Sequence, residues 1–203
     1  MNTAKREKSV KSLVALYTVV MGVALSLAVR SMIGENGGLE SVTLPALLLF
    51  VAFVGTLFPF FHGALRHLDD AYVDNKNEHI REGALVVDFL LLFVHALAFV
   101  VLALLLKKPG QFAWVLVILL SIDLLWGVFV IFGPSGKKGL NAEAKWTIIN
   151  FVFVGSAATF LYWFGVSPLS DVMDPLKLAL PIAFVSLGRT IVDYVWCKDF
   201  YFP

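Results

Sequence analysis

The sequence predicts an all-α polytopic membrane protein: a bundle of about six transmembrane helices with short loops and both termini in the cytoplasm. Three observations lead there. Of the 203 residues, 59% are hydrophobic and only 15% charged, whereas a soluble domain carries about 25% charged residues. The apolar excess falls in separate blocks, each near the length of about 20 residues that crosses a hydrocarbon core. The stretches between blocks are short, the longest polar run covering 62–83, so residues 1–203 read as a single transmembrane domain.

The blocks run 13–29, 44–61, 84–106, 112–132, 146–166 and 176–196. The first follows Lys5, Arg6, Lys8 and Lys11, as the core of a secretory leader would. Its apolar run is long, however, and ends at Arg30 without a clear cleavage site, so it reads as a retained helix. Gly22, Ser26 and the Ala24–Ala28 pair give it small-residue faces suited to close helix contact, as Gly155 to Ala158 do in the fifth block. Pro45 opens the second block harmlessly. Pro59, near its end, and Pro181, one turn into the sixth, either bend their helices or leave a carbonyl without its usual partner. Most of the five tryptophans stand near block ends, as interfacial anchoring predicts. The final Phe200 to Pro203 reads as an anchor in the headgroup layer. Cys197 is the only cysteine, so no intramolecular disulfide supports the fold, and its role reads as structural.

Lysine and arginine set the orientation. Eleven fall in the N-terminal tail, the second and fourth connectors and the C-terminal tail, against four on the other side, with Arg189 left inside a span. That excess places both termini in the cytoplasm and the chain in the cell's inner membrane. A formal net charge of +1 gives no general affinity for nucleic acid.

Ionisable residues inside spans are costly unless paired or hydrated, and so mark a functional interior. Here they are Asp88, His95, Asp123, Arg189 and Asp193, joined by Asn150, and they read as an ion or ligand pathway. With the predicted orientation they lie toward the cytoplasmic side, which suggests a wet cavity open there and closed toward the outer leaflet. Arg189 and Asp193, four apart, share a face and can pair; Asp88 and His95, seven apart, share another. Three aspartates against one arginine leave a negative surplus. Either these groups lock helix packing or they handle ions, protons or a polar ligand.

The second unusual segment is 59–79, where His62, Arg66, His67, Asp69 and Asp70 read as a cytoplasmic gate or ligand contact, with Asp74 completing the cap. Arg66 and Asp70 are spaced to pair. The histidines and carboxylates match no zinc motif, so no metal and no other cofactor is expected.

Function is the weaker part of the reading. The first expectation is an oligomeric ion channel or pore-like effector, in which Asp88, Asp123 and Asp193 form acidic rings favouring cations. Its partners would be the lipid bilayer, further copies of itself and a small cytoplasmic ligand. The alternatives are a membrane-embedded enzyme acting on a lipid or isoprenoid, and a small proton-coupled transporter or accessory subunit. Against the enzyme, the chain lacks a serine–histidine–aspartate order and an aspartate-rich D-D-x-x-D motif. For the transporter, Asp88, His95 and Asp123 would serve as titrating relay groups.

Overall fold

The computed structural model describes residues 3–33, 38, 41–73, 82–132, 142–167 and 174–202. The regular elements are α1 (Thr3–Ile33), α2 (Leu44–Leu68) with a π-helical continuation (Asp69–Val73), α3 (Glu82–Leu104), α4 (Pro109–Phe132), α5 (Ala142–Trp163), α6 (Pro175–Trp196) and the single turn α7 (Lys198–Tyr201). Six of these helices are long and apolar enough to cross a membrane, which makes the chain a multi-pass membrane protein of the all-α class. Asp74, Lys76, His79, Arg81, Lys137 and Lys138, used above for the cap and the orientation, lie outside the described residues.

Several helices outrun their apolar blocks, because polar residues can satisfy themselves within a helix. α1 begins at Thr3 rather than near 13. Ser9 and Ser12 donate back to the Lys5 and Lys8 carbonyls, both at 3.0 Å, and Lys11 pairs with Glu7 at 2.7 Å. α2 continues past 61 to Leu68 and then widens into the π turn. The start signals act as the sequence suggests. Thr43 caps α2 by accepting from the Ala46 N–H, with Pro45 in the first turn. Asp174 caps α6 through the Leu176 N–H at 3.0 Å, ahead of Pro175.

α2 is the central helix. Half of its most apolar window is buried, against 22% for α1 and α5. It packs most extensively on α6, while α1 packs on α3 and α4 on α5. The α2–α6 contact is close for a reason written at Pro59. Proline has no N–H, so the carbonyl four residues earlier, that of Gly55, has no helical partner. The Thr190 hydroxyl of α6 meets that carbonyl, and Gly55 has no side chain to keep α6 away: a Cβ there would sit 3.4 Å from Leu187 Cδ2. Small residues serve α1 likewise, with Ala24 and Ala28 fully buried.

The outer surface is apolar, with Leu125, Phe129, Phe151, Phe184 and Val195 standing outward. In lipid such surface gains nothing by hiding, so packing and interhelical hydrogen bonds must hold the bundle together. The two are unevenly distributed, as the next section shows.

Candidate functional site

All of the span-embedded polar residues named above converge. The ends of α2, α4 and α6 and the starts of α3 and α5 meet α7 around a cavity of about 50 Å³. The start of α1 reaches the same end, where Val10 packs with Leu68, Tyr72 and Leu85; we call it the terminal end. The cavity has room for a few waters.

Along α2, residues Phe60, Gly63, Ala64 and His67 follow the helical repeat and line the cavity together. Phe60 is its floor. Arg189 lies over the Phe60 ring at 5.1 Å and the His95 ring meets it edge-on at 5.4 Å. On the other side Phe60 contacts Phe99, and Phe99 contacts Phe53, both edge-on at 5.5 and 5.9 Å.

Asp88 on α3 is the first node. It accepts from Tyr72 Oη at 2.6 Å and from Trp126 Nε1 at 3.3 Å, and it faces His67 Nε2 at 3.2 Å. His67 Nδ1 looks the other way, at Glu143 Oε1 3.7 Å distant. An imidazole with a carboxylate at each nitrogen is arranged to carry two protons, because a bare lone pair would oppose one of the carboxylates. His67 and Tyr72 are five apart, which an α-helix would turn to different sides. The π turn, with its i→i+5 repeat, returns both to the same carboxylate oxygen.

Asn150 on α5 is the second node, and it separates charges. Its carbonyl accepts from Arg189 Nε and Nη2 at 3.0 and 2.8 Å, and its amide donates to Asp123 Oδ2. Asp123 Oδ1 is 3.9 Å from His95 Nε2, too long for a hydrogen bond. The third node is Asp193, which accepts from Trp146 Nε1 at 2.8 Å and from Tyr201 Oη at 3.1 Å. Burial, then the nearby Asp193 charge, pushes the Cys197 thiol up to about 12 and also raises the Tyr201 hydroxyl. Both therefore stay protonated at neutral pH.

Some placements differ from the sequence reading. Arg189 does not pair with Asp193; Asn150 takes one and the Trp146–Tyr201 couple the other. Trp126 is no interfacial anchor; its indole donates to Asp88. Within the predicted gate only His67 lines the cavity. His62, on a different face of α2, stacks with Tyr201 at 4.8 Å and with Phe202, and Arg66 Nε donates to the Phe200 carbonyl at 3.1 Å. Asp69 caps the end of α2, and neither it nor the half-buried Asp70 reaches the cavity wall. The C-terminal segment is more than a lipid anchor: α7 folds Tyr201 back, only 3% exposed, over the cavity mouth.

Glu143, Trp146, Tyr72, Tyr201 and Phe60 were missed by the sequence reading. Glu143 carried a signal, since it stands seven residues before Asn150 on one face of α5. Starting that helix at 146 concealed it. Tyr72 and Tyr201 carried none, because a π turn and a chain reversal hide their phase.

No family model, curated protein or solved structure matches the chain. Function must therefore be read from the chemistry of the site.

Proposed function

We propose that the chain is a proton-coupled membrane carrier whose working site is the cavity at the terminal end, set in the cell's inner membrane with both termini cytoplasmic. The carrying observation is charge imbalance around a small cavity. Asp88, Asp123 and Asp193 line it together with Arg189 and His67. Among these lining residues, even with His67 doubly protonated, one negative charge is left to be met by a proton, a cation or water. A desolvated carboxylate exchanges its charge for a proton readily, and chains of Asp and His recur where protons are moved.

An apolar core next to the cavity supports a carrier over a pore. The Phe60–Phe99–Phe53 contacts lie beyond the cavity, in an apolar core. The carboxylates face a space formed within one chain, so the reading does not require the homo-oligomer that acidic rings would. The lysine and arginine excess supports an orientation with the cavity toward the cytoplasm.

The test is charge movement after pH jumps, measured on proteoliposomes adsorbed to a solid-supported membrane. Transient displacement is expected for the wild type and its loss in Asp88→Asn and Asp123→Asn. Steady ohmic current in planar bilayers would establish a channel in place of a carrier. Absence of any pH-driven charge movement in the wild type would remove the proposal.

A further inference from the structure

Two buried side-chain nitrogens at the cavity have no hydrogen-bond partner among the described residues. Arg189 Nη1 and His95 Nε2 are buried without a hydrogen-bond partner, on side chains whose residues are 4% and 2% exposed. Both side chains line the cavity, and both rest against the one Phe60 ring. Buried N–H groups are nearly always satisfied, and a guanidinium N–H most of all. Nε and Nη2 both donate to the Asn150 carbonyl, which holds the guanidinium plane fixed and leaves the Nη1 edge for something else. With His95 protonated at Nε2, the two present a pair of donors that no described residue meets.

We infer that the cavity binds a small monocarboxylate, of formate or acetate size, with one oxygen on Arg189 Nη1 and the other on His95 Nε2. A carboxylate offers two acceptor oxygens to two donors, and the guanidinium edge is its usual partner. The cavity, at about 50 Å³, suits a ligand of few atoms. Phe60 presents an apolar ring to the carbon end.

The acidic surroundings would repel a lone anion, so the ligand enters with a proton from solution. Beside the site stands Asp123, faced by His95 from α3, Asn150 from α5 and, at electrostatic range, the buried Tyr17 from α1. Asp88, Glu143 and Asp193 supply the remaining negative charge, and His67 and Arg189 the positive. This assignment rests on the carrier reading only for the role of that proton; the two open donors stand without it.

Saturation-transfer NMR on the detergent-solubilised full chain, with acetate and formate as probes and methylammonium and urea as controls, tests the site. Saturable acetate binding competed by formate is expected, with proton uptake close to one per acetate in weakly buffered solution. Arg189→Gln and His95→Ala should each weaken binding at least about tenfold, as losing a charge-assisted hydrogen bond does. His95→Ala keeps the charge count and decides the matter if Arg189→Gln elutes misfolded in size exclusion. No saturable acetate signal, equal binding in the folded variants, or binding of methylammonium in place of acetate would overturn the assignment. The two proposals separate cleanly. Acetate binding without pH-driven charge movement upholds this site and removes the carrier; charge movement with no acetate binding does the reverse.

Discussion

The two halves of the bundle are held by different forces. In the half away from the termini, Leu49, Phe53, Phe99, Leu102, Phe112 and Leu119 are essentially inaccessible, and the contacts are dispersion between close-fitting side chains. Among the described residues polar bonds there are few, such as the Trp114 indole of α4 donating to the Val166 carbonyl just past α5 at 3.0 Å. At the terminal end the same helices are joined by carboxylates, imidazoles, an amide and a guanidinium. Lipid gives no hydrophobic drive to either half. The apolar half is therefore a packed frame, and the polar half a network in which most members lean on at least one other helix. A network of that kind is stabilising only while all its members are present.

That contrast can be broken most forcefully at Arg189. Arg189→Leu leaves the carboxylates without the one permanent cation that lines the cavity among the described residues, and should cost about 3–5 kcal/mol in thermal unfolding in detergent. Phe53→Ala in the frame should cost a similar amount, about 3–5 kcal/mol, through an unfilled space. The pair differ in a second readout: pH-driven charge movement should vanish in the first and persist in any folded fraction of the second.

Next is the lid. Tyr201→Phe removes a donor to a charged group and should cost about 1.5–3 kcal/mol by the same melting assay. It should also loosen Cys197, only 2% exposed beneath it. With its thiol held at about 12, Cys197 in the wild type should resist maleimide at pH 8 and become reactive in Tyr201→Ala. The sign for stability follows from that raised value. Between the ordinary thiol range and about 12 the folded chain binds the extra proton, so this contribution is complete at neutral pH and is lost as pH climbs through that window.

A smaller effect is expected at Gly127, where α4 and α5 touch. A Cβ there would collide with Thr147 Oγ1 and lie 3.3 Å from its Cβ. Gly127→Ala should cost about 1–3 kcal/mol, and Thr147→Ala in the same chain should recover most of it, as a double-mutant cycle would read. The smallest change is Trp114→Phe, which frees one carbonyl in the frame. About 0.5–1.5 kcal/mol is expected, with charge movement unaltered.

The sequence reading reached the spans because hydropathy needs no tertiary knowledge, and it reached Asp88, His95, Asp123, Asn150, Arg189 and Asp193 because polarity inside a span is itself the signal. What it could not supply was pairing. Spacing of four made Arg189 and Asp193 look like partners, yet each had a better partner on another helix, and a single chain of letters does not reveal which faces meet. His62 and His67 looked like members of one cap, although five residues of α-helix send them to opposite neighbours, the C-terminal turn and the cavity. The polar helix at 3–12 reads as a tail in the sequence because hydropathy reports the solvent a segment can enter, and is silent on where its hydrogen bonding stops.

The wide turn at Asp69–Val73 sets how far this segment can change in length. A residue removed from it would restore ordinary winding and rotate all that follows by about 100°, carrying the Tyr72 hydroxyl away from Asp88. Stretches beside a connector usually tolerate insertions and deletions freely. Here the residue count determines aim, and a deletion of Ala71 alone would act on the network as a substitution of Tyr72 does.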